Sequence, residues 1–215
     1  MNIVKTLAFF LVISFTSCTI TQEFQFKKDF SGNTRLSIDM GSLMEMMAGM
    51  DSTGTQTQSM KDSLDFVFKE SIGKLDSIGI KNIKYGWEEG SQVLYISYDF
   101  DDIDMLNKSL NASNQGNAAF GQAVSSEPHV YFARKGKTLS YKGIKSTSDA
   151  GNSADMESMK DYYKYNLLFG FEHKVVNVDN PNVMLLADKK KAELKGSMFE
   201  IIKPEFNSNI TFKLK

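Results

Sequence analysis

The stretch "IKYGWEEGSQVLYISYDF", residues 83–100, decides the fold. Ile83, Tyr85 and Trp87 alternate with Lys84 and Gly86, and Leu94, Ile96, Tyr98 and Phe100 alternate with Tyr95, Ser97 and Asp99. A side-chain period of two belongs to a strand with one buried face, and Glu89-Gly90 between the two runs is a turn signal. The pair therefore reads as an antiparallel hairpin. The same signature stands on either side of it. Phe24 and Phe26, the Ser31-Gly32-Asn33 turn, then Leu36, Ile38 and Met40 make one hairpin; Val130 and Phe132, a turn at Lys135-Gly136-Lys137, then Leu139 and Tyr141 make another.

Between the hairpins the period changes to that of helices. Ser42 with Glu45 three residues later is a capping-box signature, and Ser59 with Asp62 is a weaker one. Met60, Leu64, Val67, Phe68, Leu75 and Ile78 trace an apolar stripe that ends at Gly79, a C-terminal cap. Asp102 caps a further helix with Ile103, Leu106 and Leu110 inward, and Ser153 opens one carrying Met156, Met159 and Tyr163. A strand over 167–178, short strands at 183–187 and 191–196, a helical turn capped by Ser197 and Glu200, and a strand over 209–214 complete the pattern, while 51–58 and 111–127 read as loops. No linker interrupts this order. The expected fold is α+β, with antiparallel β-hairpins alternating with helices packed on a sheet face, and residues 24–215 form a single domain.

The front of the chain is of another kind. Lys5, the apolar run 6–13 and the small residues of 14–17 compose a signal peptide, residues 1–17, too short to span a bilayer. Cys18, the only cysteine, follows directly. Phe15-Thr16-Ser17-Cys18 is a loose lipobox, in which cleavage before Cys18 accompanies acylation of its thiol. An unpaired thiol is a liability outside the cytoplasm and a lipidated one is not. Cys18 is thus the expected lipid attachment site, with 18–23 a lipidated N-terminus and short tether, and the membrane the partner reached through that lipid. The expected location is the bacterial cell envelope, on the outer membrane facing the periplasm. A net charge of −1 and no basic stripe beyond Lys189-Lys190-Lys191 argue against a nucleic-acid partner.

The lipobox, the "F-x-F-x-K-D-x-S-G" hairpin at 24–32 and the "F-G-F-E-H-K-V-V-N-V-D-N" strand at 169–180 resemble small bacterial lipoproteins with an LppM-like domain, and the loose lipobox resembles those of Bacteroidetes. The resemblance implies a role among cell-envelope glycolipids. Mycobacterial members carry a C-terminal membrane helix, whereas residues 209–214 here read as a strand.

No nucleophile elbow, phosphate-binding loop, dinucleotide fingerprint or His-Glu-x-x-His occurs, so no enzyme activity and no cofactor are expected. His129 and His173 read as strand residues, and no metal site is expected from them. Asp99, Asp101, Asp102 and Asp104 lack the glycine and glutamate of an EF-hand and read as acids favoured at a helix N-terminus. Met40, Met44, Met46, Met47 and Met50 leave three readings open: core packing, a copper(I) site, or an adaptable lid of Met44, Met47 and Met50 over an apolar ligand. The functional expectation is an envelope lipoprotein that binds an apolar or amphipathic molecule, a lipid or an envelope protein; the alternative is a structural or protein-interaction module without a small-molecule site.

Overall fold

The structure, a computed structural model, describes residues 18–50, 54–114, 128–143, 163–201, 203 and 206–215. The signal-peptide segment and the helix expected from Ser153 to Met159 lie outside them. In chain order the elements are β1 (Cys18–Phe26), β2 (Gly32–Asp39), α1 (Gly41–Met50), α2 (Thr55–Ser77), β3 (Lys81–Trp87), β4 (Val93–Phe100), α3 (Ile103–Asn114), β5 (Phe132–Lys135) and β6 (Thr138–Tyr141). There follow β7 (Tyr163–Phe171), β8 (Val175–Val178), β9 (Val183–Leu185), β10 (Lys191–Ser197), the single-turn α4 (Met198–Ile201) and β11 (Ile210–Leu214).

Helices and sheets coexist as expected of an α+β chain, but the strands form two sheets. The larger has seven strands in the order β3-β4-β2-β1-β7-β10-β9, and the smaller has four in the order β5-β6-β11-β8. The three hairpins pair antiparallel: β1 with β2, β3 with β4, and β5 with β6. At the centre of the large sheet, however, β1 runs parallel to β7, from Cys18 opposite Tyr163 to Phe26 opposite Phe171. Four expectations are corrected here. Residues 55–58 and 111–114, read as loop, belong to α2 and α3. Residues 19–23 are not a tether but the first half of a central strand. The single strand over 167–178 is two strands in different sheets, broken at residues 172–174. Tyr163 opens β7 and is not helical.

One face of the large sheet carries the core, and its two halves have different covers. Around Phe24 and Phe26 the small sheet closes over it, bringing Phe132, Tyr141 and Phe212 against Phe169 and Phe171. Around Cys18 and Ile38 the cover is helical, with Met44 of α1 and Phe68 and Leu75 of α2. Trp87 faces the helices, as its alternation predicts, with the Lys61 ammonium 5.2 Å from its ring. It lies half-buried on edge strand β3.

The end of α2 follows from Gly79, at φ +82°, whose N–H donates to the Asp76 carbonyl while the Ile80 N–H returns to that of Leu75. Only glycine adopts that backbone without strain. Gly73, inside α2, meets no such demand: it is exposed, and a methyl there would touch nothing within 4 Å. Gly73→Ala should therefore stabilise the domain by about 0.5–1 kcal/mol, through lower backbone entropy in the unfolded chain. A urea titration checks it; an unchanged or lowered midpoint would mean that α2 is not helical at this point.

Candidate functional site

Two places collect the chemistry, at opposite ends of the large sheet. The first surrounds Cys18. Its side chain lies on the inward face with Ile20 and shares a buried cluster with Ile38, Met40 and Met44. Burial, and secondarily the Asp39 carboxylate, push its thiol up to about 11. A thiol so held is un-ionised near neutral pH and a poor nucleophile.

The neighbours of Cys18 come from strand ends. Asp39 ends β2, and its Oδ1 accepts the Gly41 N–H at 3.0 Å, while the Met44 N–H donates to the Met40 carbonyl at 2.9 Å. α1 therefore begins one residue before Ser42. The Met40 N–H donates to the Gln92 carbonyl at 3.1 Å, tying the β3–β4 turn to the same end. Met44 is 4% exposed and packs in the core, while Met47 is half-buried. The side chain of Met50 lies outside what is described. Neither of the two grooves described below is lined by Met44 or Met47.

The second place is a groove of about 960 Å³ beside the β1–β2 turn. Four segments meet there: the turn itself, the C-terminal end of α2, one side of α3 as far as Ala112, and residues 128–134. Phe30 forms part of its floor. It is 3% exposed and holds φ +70°, a left-handed backbone that costs a bulky residue roughly 1–3 kcal/mol. Its position is fixed by the Phe30 N–H to the Lys27 carbonyl and by the Arg134 guanidinium, 4.0 Å from the ring centroid. Arg134 also donates to the Asp29 carbonyl at 3.3 Å. Ile78, Ile103 and the exposed Val130 add apolar surface, and the charged lining is mixed, with Asp29, Asp102 and Asp104 beside Lys74, Lys108 and Arg134.

The far wall is clipped to α3 by two side-chain amides. Asn107 donates to the Phe132 carbonyl and accepts the Phe132 N–H, both at 2.8 Å. One turn later Asn111 makes the same pair of bonds with His129, again at 2.8 Å each. Each amide thus pairs with both backbone groups of one residue, as a neighbouring strand would. A smaller groove of about 890 Å³ runs along the outer face of α2, where Phe66 is 70% exposed.

The remaining candidates do not converge. His129 precedes β5 and His173 lies between β7 and β8, so neither is in a strand. The His129 ring hydrogen-bonds the Lys142 carbonyl at 3.1 Å. Asp102 caps α3 through the Met105 N–H at 2.7 Å, Asp101 pairs with Lys81 at 2.8 Å, and Asp99 accepts from Asn82 at 2.6 Å. Among the described residues no group of three or more His, Cys, Asp or Glu is placed to hold a metal ion. Nor is any described helix long and apolar enough to cross a membrane.

No family model and no curated protein matches the chain. Among solved structures, the NMR structure of the folded domain of the Mycobacterium tuberculosis LppM protein is similar to it, at 12% identity over 92% of this chain and 89% of that one, with a TM-score of 0.45.

Proposed function

We propose that this chain is a non-enzymatic lipoprotein of the bacterial envelope, anchored through Cys18 and facing the periplasm from the outer membrane, whose distal groove takes an amphipathic molecule. The observation that carries this is the place of Cys18 at the first position of β1, one strand length from the groove. At ~3.3 Å per residue, β1 separates its two ends by roughly 26 Å. A lipid on Cys18 therefore leaves the groove facing away from the bilayer. The groove's size and its mixture of an apolar floor and a rim carrying both acidic and basic side chains suit a ligand with a tail and a polar head. Val130, 55% exposed at its edge, favours the second reading, a protein-interaction module.

Cys18→Ser should move the protein from the detergent phase of a phase-partition experiment to the aqueous phase. A variant that stays membrane-bound after a salt wash overturns the anchor. Native mass spectrometry of the detergent-extracted protein then separates the two readings, since a co-purifying amphiphile supports the groove and its absence supports the interaction module.

A further inference from the structure

The run Lys189-Lys190-Lys191 does not stand alone in the fold. Backbone hydrogen bonds lace its turn to three others at the end of the molecule where β1 finishes, a strand length from Cys18. The Phe171 and Val175 N–H groups donate to the Lys190 and Lys189 carbonyls at 2.8 and 2.6 Å, joining residues 186–190 to residues 172–174. The Glu172 N–H donates to the Phe26 carbonyl at 2.9 Å and the Lys28 N–H to the Glu172 carboxylate at 3.2 Å, which brings in the β1–β2 turn. At the end of β11 the Leu214 N–H donates to the Lys137 carbonyl and the Lys215 N–H to that of Lys174, both at 2.9 Å, which brings in the β5–β6 turn.

These four turns carry six exposed lysines, Lys27, Lys28, Lys137, Lys174, Lys189 and Lys190, with Lys135 and Lys191 on the strand ends beside them. They also carry three carboxylates, and each is turned onto a backbone N–H: Asp29 accepts that of Ser31, Glu172 that of Lys28 and Asp188 that of Lys190. Among the described residues none of the eight ammonium groups forms an ion pair, whereas Lys69, Lys74, Lys81 and Lys195 each meet a carboxylate at 2.7–2.9 Å. Lys189 holds a left-handed backbone, at φ +55°, that glycine takes at lower cost. The result is a positive field over the ends of two sheets, on a chain of net charge −1.

We infer that this end docks an acidic polysaccharide, a polymer with regularly spaced carboxylate or sulfate groups. Charge complementarity supplies the contact, and the composition of the turns selects the partner. Lysine is depleted from protein–protein interfaces. The four turns, all of whose residues are described, expose no Phe, Tyr or Trp on which the bases of a single-stranded nucleic acid could stack. Leu186, 36% exposed, is their one large apolar side chain open to solvent, so a lipid surface would find almost nothing to receive. Ammonium groups on flexible stems are point charges that follow a row of anions without a fixed register. Neither the anchor nor the groove is needed for this contact.

Fluorescein-labelled heparin, titrated by anisotropy with the full chain in a non-ionic detergent, tests it. Heparin should bind at about 50 mM salt and weaken about tenfold or more by about 300 mM, and neutral dextran should not compete. Lys137→Gln, Lys174→Gln and Lys189→Gly together should weaken binding about tenfold or more. Lys69→Gln, Lys84→Gln and Lys164→Gln, the same change of net charge on other surfaces, should leave it within about twofold. No binding at low salt, or an equal loss in both variants, overturns the proposal. So does tighter binding to a DNA duplex or to phosphatidylglycerol vesicles at matched charge, which would make the partner a nucleic acid or a lipid surface. Should the first variant lack a cooperative melt, Lys189→Gly alone decides, since it removes one charge while relaxing the backbone. It should lower affinity about two- to threefold with no loss of melting temperature, and unchanged affinity overturns the proposal.

Discussion

Gly32→Ala should leave almost no folded protein, a loss above about 4 kcal/mol, in a range that only a few mechanisms reach. Gly32 opens β2, opposite Phe26 on one side and Phe100 on the other. A methyl group there would sit 1.8 Å from the Gln25 carbonyl oxygen and 2.8 Å from Cζ of Phe100. The ring could turn aside. The carbonyl cannot, because Gln25 lies in the β1–β2 ladder opposite Asn33 and next to the parallel pair with β7. Relief would require β1 to shift at the centre of the seven-stranded sheet, and the Phe24 and Phe26 rings would move with it. Soluble yield and far-ultraviolet circular dichroism read the effect. A variant with wild-type yield and a melting temperature within a few degrees of wild type would show that the turn from Lys27 to Ser31 is not built as described.

That turn also shows what was legible in the sequence. Each hairpin could be read because its partners stand within one turn of each other and the alternation is local. β1 was read only from Phe24 onward. In Cys18, Ile20 and Gln22 the third inward residue is polar, which breaks the pattern and makes 18–23 resemble a tether. The structure explains the exception: Gln22 Nε2 donates to the Thr34 hydroxyl at 2.7 Å, and that hydroxyl donates to the Glu23 carbonyl at 2.8 Å. Thr34 is 1% exposed and Gln22 half-buried, so the buried hydroxyl is satisfied.

The parallel pairing of β1 with β7 had no local signal at all, since its partners are more than a hundred residues apart. β11 likewise pairs with strands that are not its chain neighbours, joining β6 and β8 into the small sheet. Of the candidate site, the position of Cys18 drew notice in the sequence and its burial did not. The groove was invisible because its walls come from four segments, and because Asn107 looks like an ordinary solvated position of a polar helix and Asn111 falls in a stretch that reads as loop. The methionines of α1 were legible as a group. Their division was not, since whether Met44 lies in the core depends on where the helix docks.

Phe169→Ala should cost about 3–5 kcal/mol, the range for a large aromatic truncated in a core. Phe169 is 1% exposed in β7 and joins the two sheets. Its ring stacks on Phe24 of the large sheet at 5.7 Å between centroids. From the small sheet it meets Tyr141 edge-on at 5.4 Å and Phe212 at 5.0 Å. Its strand neighbours are Phe24 and Ala192. Ala192 has no reach to fill the space, and the phenylalanines are held by contacts of their own, so the cavity would stay open. Burial also holds the Tyr141 hydroxyl well above its usual range, and water entering that cavity would relieve it. The destabilisation should therefore come with weaker near-ultraviolet circular dichroism, as the tyrosine and phenylalanine rings lose their fixed packing, before the far-ultraviolet signal changes. Val176→Ala, at an exposed position of edge strand β8, is the comparison and should stay within about 0.5 kcal/mol of wild type. If Phe169→Ala cost less than about 1 kcal/mol, the two sheets would not share this core, and the small sheet would have to be held to the large one elsewhere.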